Sequence, residues 1–173
     1  MPLLPVRIGQ GFDVHAFAAG QRLVLGGVEI PHEKGLLGHS DADALTHAVC
    51  DAILGALARG DIGQHFPDTD PRYKNIDSLL LLDHVAALAR QDGYSVAQID
   101  ATILAQRPRL AGYMPQMQEK LRARLGGDCI VNVKATTTER LGFVGREEGI
   151  AAMAVVMLTP VKPAKRAGKR AEK

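Results

Sequence analysis

The chain has 173 residues and is 46% apolar, yet only 4% aromatic and without tryptophan, so Ala, Leu, Val and Ile must fill the core of one ordinary-sized domain. The formal charge of +2 is uneven: the last thirteen residues, VKPAKRAGKRAEK, hold six bases and one acid, leaving a body of about −3. Cys50 and Cys129 are the only cysteines and form no CxxC pair, which excludes a disulfide framework and reads as two reduced thiols in a cytoplasmic protein.

In chain order, MPLLPV has neither the basic start nor the apolar run of a secretory signal. Residues 6–17 read as a strand, and RLVLGGVEI (22–30) as a small N-terminal hairpin turning at Gly26-Gly27. After a glycine-rich loop, HSDADALTHAVCDAILGALARG reads as a helix with a capping-box-like start at Ser40 and Asp43 and a stop at Gly60. A second helix covers 77–92, closed by Gly93; its LLLLDHVAALA run is broken by Asp83 and His84, well short of a membrane span. IDATILAQ (99–106) reads as a strand with Asp100 and Thr102 on one face. Met114, Met117, Leu121 and Leu125 then recur at helical spacing, as core packing. IVNVKAT (130–136) alternates as a strand, and GIAAMAVVMLT (149–159) is apolar enough to be buried on both faces.

This order gives an α+β fold: a mixed four-stranded sheet with helices on one face, plus the hairpin. Residues 1–160 form a single domain, and 161–173 a basic disordered tail. The tail reads as a solvated appendage, so neither nucleic acid nor membrane is expected as a partner.

Two stretches carry chemistry. In GFDVHAF (11–17), Asp13 and His15 are two apart and share a strand face, either as a polar outer face or as half of a metal site. On the following helix Asp43, His47 and Asp51 recur every fourth residue; alone they fit an exposed face equally well. Together, one Asp and two His make a three-ligand set that suits zinc with a fourth position open, and Asp51 or Asp43 could orient an imidazole from behind. His32, His65 and His84 have no such company. Thr136, Thr137 and Thr138 at a strand end, with Glu139 and Arg146 close by, suit either an anion site at a helix start or a plain cap. GQGFD lacks the third glycine of a dinucleotide fingerprint.

Three longer motifs, GQGFDVHAF, GHSDADALTHAVCDAILGALARGDIGQHFPDTD and NVKATTTERLGFVGREEGIAA, closely resemble the 2-C-methyl-D-erythritol 2,4-cyclodiphosphate synthase family, in register from about residue 6 to 159. The resemblance implies a homotrimer with active sites between neighbouring subunits. It implies cyclisation of 4-diphosphocytidyl-2-C-methyl-D-erythritol 2-phosphate with release of CMP, in non-mevalonate isoprenoid biosynthesis. Zinc would be held by Asp13, His15 and His47, and magnesium or manganese by Glu139, with Thr137 completing the catalytic set. His39 and Ser40 would meet the methylerythritol phosphate, and Asp61, Gly63 and Asp68 the erythritol hydroxyls. Ala105 and the segment Arg107 to Leu110, including Arg109, would line the cytidine pocket, with Thr136 and Thr137 against the diphosphate. Phe12, Phe143 and Arg146 would face a central channel able to hold an isoprenoid diphosphate. Gln10 stands where some members have His, and Arg109 where some have Lys, a change of geometry at equal charge. Two rivals fit parts of the pattern: a zinc phosphohydrolase using the same ligands, and a polyanion-binding protein acting through its tail.

Overall fold

The computed structural model describes residues 6–161. Five strands form one mixed sheet: β1 (Arg7–Ala19), β4 (Lys34–Leu36), β5 (Tyr94–Leu104), β6 (Ile130–Thr136) and β7 (Gly149–Pro160), in the order β4-β1-β7-β5-β6. All neighbours are antiparallel except β5 and β6, which run parallel. Strands β2 (Val24–Leu25) and β3 (Val28–Glu29) make the separate hairpin, and Gly26 and Gly27 turn it with φ of 57° and 69°, a conformation that glycine adopts without steric cost. The sheet thus has five strands, not four. The additional one, β4, is only three residues long and pairs with the end of β1, too short for any alternation to mark it.

Helices α1 (Ala44–Leu57), α3 (Ser78–Gln91) and α4 (Met114–Leu125) pack together and against the sheet. The short helices α2 (Ile62–His65) and α5 (Gly142–Gly145) sit in connections. Helix α1 is central and buried almost all round, which explains its alanine-rich composition: the small side chains let β1 come close. A Cβ on Gly11 would overlap the Ala48 carbonyl oxygen and approach the Ala52 nitrogen to 2.8 Å, and one on Gly9 would come within 2.6 Å of the Ala56 nitrogen. Strand and helix therefore meet backbone to backbone. Gly9, Gly11, Asp13 and His15 all face inward, while Ile8, Phe12 and Val14 point out.

The start of α1 differs from the capping box expected at Ser40. Asp43 is the N-cap, and its fully buried carboxylate accepts four hydrogen bonds: from Thr46 N (2.9 Å), Thr46 Oγ1 (2.7 Å), Gly26 N (2.9 Å) and Gly27 N (2.7 Å). One side chain thereby caps the helix and ties the hairpin to it. Burial raises its pKa despite these donors. At the other end, Ala58 in the left-handed region, not Gly60, closes the helix. The expected full burial of β7 holds over Gly149–Ala152, but Met153 and Val155 lie 43% and 46% exposed on the outer face, beside Ile8, Phe12 and Val14.

Two substitutions test this packing. Gly11→Val should destabilise the chain by about 3 kcal/mol or more, since the obstacle is backbone and cannot rotate away. Asp43→Ala should cost about 2–4 kcal/mol by stranding buried hairpin N–H groups. Both are read from urea unfolding midpoints, and near-wild-type stability would contradict the packing described.

Candidate metal centre and ligand cavity

The close approach of β1 to α1 brings three side chains to one point. Asp13 Oδ2 lies 3.0 Å from His15 Nε2 and 3.0 Å from His47 Nδ1, and the two ring nitrogens are 3.1 Å apart. Among the described residues this is the one group of three or more His, Cys, Asp or Glu side chains whose donor atoms converge as metal ligands would. Asp13 and His15 are half-buried and His47 is buried, so the cluster sits at the base of an opening.

The donor set fits a divalent cation. His15 Nδ1 donates to the Leu37 carbonyl at 2.9 Å, which can only accept, so in the neutral ring the lone pair is on Nε2 and faces Asp13 and His47. A carboxylate oxygen and two imidazole nitrogens at mutual separations near 3 Å repel one another unless a cation or protons lie between them. Their types match zinc ligation with an open position. Without a cation, protons take that role. Burial alone would raise the Asp13 carboxyl, but hydrogen bonds from His15 and His47 outweigh it and hold the group well below the usual carboxylate range. Burial alone would lower the His15 imidazole, but the hydrogen bond to Asp13 and its charge lift it above the ordinary 6.5.

The second ring nitrogen of His47 is also engaged. Nε2 lies 2.8 Å from Ser78 Oγ and 3.0 Å from Ser40 Oγ. Neither Asp51 nor Asp43, the acids expected to orient an imidazole, touches His47 in this way. Asp51 accepts from Ile62 N at 2.8 Å and so fixes the start of α2; Asp43 is spent on the hairpin and cap. Ser78 was not singled out by the sequence, because it meets His47 from 31 residues away.

The triad forms part of the wall of a cavity of about 430 Å³, completed by His39, Ser40, Gly63 and Asp68 and by apolar side chains including Ile62, Phe66, Tyr73 and Ile76. Four residues assigned by resemblance to the erythritol phosphate end are thus brought together. Asp61 is not part of that wall; its carboxylate caps α2 through Gln64 N at 3.0 Å. The residues assigned to cytidine gather elsewhere: Ala105, Arg109, Leu110, Thr136 and Thr137 line a second cavity of about 240 Å³. Arg109 and Thr137 also border a more polar cavity of about 640 Å³ with Arg107, Gln106 and His32. Neither shares a residue with the triad cavity.

Glu139 adjoins the second region: its carboxylate accepts from Thr137 Oγ1 at 2.8 Å, and its backbone has φ of 51°. The three threonines do not cap a helix. Thr138 Oγ1 donates to the Leu141 carbonyl at 2.7 Å, and α5 begins only at Gly142. Phe143 is 38% exposed on α5, and Arg146 pairs with Glu148 at 2.7 Å; neither borders these cavities. His32 packs on Phe17, His65 Nε2 meets the Arg59 carbonyl, and His84 packs on Phe66. Met117, Leu121 and Leu125 are buried in the core as expected, while Met114 is partly buried and borders the second cavity.

Fold and donor set together define an α+β domain built on a five-stranded mixed sheet, with three side chains at the wall of a cavity that could hold a metal ion. The chain belongs to the YgbB family, whose model matches residues 6–159. A Geobacter sulfurreducens protein named 2-C-methyl-D-erythritol 2,4-cyclodiphosphate synthase is 63% identical over 154 residues, covering 88% of this chain and 98% of the relative. Among solved structures, the Plasmodium falciparum IspF CDP complex superposes with a TM-score of 0.79 at 30% identity, covering 93% of this chain and all of the other. The bifunctional IspDF of Campylobacter jejuni gives a TM-score of 0.87 at 43% identity over 93% of this chain, which spans only 44% of that longer protein. Among the described residues no helix is long and apolar enough to cross a membrane.

The perturbed pair sets a pH signature. In metal-free protein, the raised His15 pKa contributes stability fully present below pH 6.5 and lost as pH climbs above 6.5 through the raised folded-state value. The depressed Asp13 value contributes stability present above pH 3.8 and lost as pH falls. Because a metal must displace the His15 proton, zinc affinity measured by chelator competition should keep climbing with pH beyond 6.5. A plateau below that point would contradict the Asp13–His15 coupling.

Proposed function

We propose that this chain converts 4-diphosphocytidyl-2-C-methyl-D-erythritol 2-phosphate to 2-C-methyl-D-erythritol 2,4-cyclodiphosphate and CMP, as a phosphorus–oxygen lyase of isoprenoid precursor synthesis in the cytoplasm. The observation that carries the proposal is the convergence of Asp13, His15 and His47 at the wall of a cavity that also holds His39, Ser40, Gly63 and Asp68. The 63% identity to a relative bearing that synthase name supports it.

In this reading Asp13, His15 and His47 would hold zinc, and Glu139 would offer its carboxylate to magnesium or manganese. Bound there, the cations supply Lewis-acid polarisation of the phosphate under attack and charge neutralisation on the leaving CMP. The rest falls to positioning. The substrate's own 2-phosphate, with a second pKa of ~6, is largely dianionic at neutral pH and needs no protein base. His39 and Ser40 grip that end, and Asp61, Gly63 and Asp68 fix the hydroxyls. Ala105, Arg109 and Leu110 seat the cytidine, while Thr136 and Thr137 lie against its diphosphate. Holding both ends in attack geometry can supply up to about 7–11 kcal/mol in ideal intramolecular cases.

The triad cavity and the cytidine groove share no lining residue, which suits a homotrimer whose active sites are completed by a neighbouring copy. The outer sheet face supports such an assembly: Ile8, Phe12, Val14, Met153 and Val155 are each at least 43% exposed, an apolar surface of the kind that associates. Phe12, Phe143 and Arg146 would then border the central channel and any isoprenoid diphosphate in it. Residues 1–160 act as the catalytic domain; the basic tail lies outside the described residues beyond Val161.

Incubation with the diphosphocytidyl substrate, zinc and magnesium, followed by mass spectrometry, tests the reaction. CMP with a cyclic diphosphate is expected; an acyclic phosphate would instead indicate a hydrolase, and intact substrate would contradict both. Glu139→Gln should retain zinc while turnover falls about 100-fold or more, the scale of losing one transition-state charge partner.

A further inference from the structure

We infer that Asp51 is a positioning residue for the proposed reaction: from α1 it anchors α2, and so sets how far the wall that meets the substrate's hydroxyls stands from the triad. The inference rests on the proposed function. Asp51 and His47 are one turn apart on the same face of α1, separated by about 6 Å along its axis. His47 Nδ1 meets Asp13 Oδ2 at 3.0 Å, while the Asp51 carboxylate accepts from Ile62 N at 2.8 Å. Ile62 is the first residue of α2, and both it and Gly63 line the triad cavity. One helical face thus holds a triad side chain and, one turn on, the anchor of the neighbouring wall.

Helix α2 needs an anchor from outside. It has four residues, too few to persist on propensity alone, and the N–H groups of a first turn find no partner inside their own helix. Asp51 meets Ile62 N, and Asp61 meets Gln64 N at 3.0 Å. The two acids do different work. Asp61 is the N-cap and belongs to the same loop, so it shapes the turn without fixing where the turn sits. Asp51 stands eleven residues away on a helix that is buried almost all round, so its bond ties the turn to the core. At the far end, the Phe66 ring packs edge-on against Tyr73 and His84, with centroids 5.4 and 5.3 Å away. Apolar packing of that kind is not directional in the way a hydrogen bond is. Asp51 is half-buried, which limits the water available to replace it as acceptor.

Substitution can separate this bond from charge. Asp51 is close enough to Asp13 and His47 for their charges to act on it, so neutralising it alters the field at the triad. Asp51→Asn and Asp51→Ala remove the same charge, but only Asn keeps an oxygen that accepts from Ile62 N. The experiment compares both with the wild type by KM and kcat for the diphosphocytidyl substrate, zinc affinity by chelator competition, melting temperature and amide hydrogen exchange at Ile62. In Asp51→Ala, KM should rise about tenfold, the scale of one hydrogen bond, with kcat changed less because the hydroxyls themselves do not react. Exchange at Ile62 should quicken about tenfold in that variant. In Asp51→Asn both quantities should stay within about threefold of the wild type, and the two variants should bind zinc equally. Equal KM values in the two variants, an Ile62 amide indifferent to Ala, or zinc bound more weakly by Ala than by Asn would overturn the anchor. Should Asp51→Ala fail to fold, Asp51→Ser, polar but too short to reach Ile62 N, takes its place. If the wild type forms neither CMP nor a cyclic product, the functional reading fails, while the exchange comparison still decides for or against the anchor.

Discussion

The backbone contact between β1 and α1 is the constraint on which the rest of the structure depends. Gly9 and Gly11 meet the stripe formed by Ala48, Ala52 and Ala56 with no side chain between the two main chains. Two residues further along the same inward face of β1 lies Asp13, and two beyond that His15; one residue before Ala48 lies His47. A wider strand–helix separation, such as any Cβ at Gly11 would impose, moves the carboxylate and the imidazoles apart. Packing density and the convergence of the triad are thus one requirement, met by the same small residues.

Polar burial in this core follows the same logic. Asp43, Thr46, His47 and Ser78 are its buried polar residues among those described, and every one is hydrogen-bonded. Asp43 and Thr46 serve the hairpin and the helix start, while His47 and Ser78 serve the triad. Buried groups of this kind are costly when unpaired and directional when paired. The cost is accepted where direction matters, at a helix start and at the triad. The apolar residues on the outer sheet face stand in contrast, exposed in a single copy and matched to the assembly proposed above.

Local pattern made much of this legible. Strand spacing placed Asp13 and His15 on one face, helical spacing placed His47 in reach, and the glycine pair announced the hairpin. Strand β6 was clear from IVNVKAT, and the bounds of α3 came within a residue, from Asp77 to Gly93. What stayed hidden depends on tertiary meetings. Strand β4 is too short to carry a pattern and exists because β1 extends to Ala19 and pairs with it. The cap of α1 passed from Ser40 to Asp43 because the hairpin supplies two more donors there. Ser78 and Asp41 meet across 37 residues, a distance no local motif spans. The outward exposure of Met153 and Val155 was likewise invisible, since an apolar strand reads alike against a core or a neighbouring copy.

X-ray absorption at the zinc edge on the purified, zinc-loaded protein tests the central claim most directly. The account predicts one zinc per chain in an all nitrogen and oxygen shell at about 2.0–2.2 Å, with the outer-shell scattering of two imidazole rings. A shell containing sulfur from Cys50 or Cys129, or the scattering of fewer than two imidazoles, would contradict it.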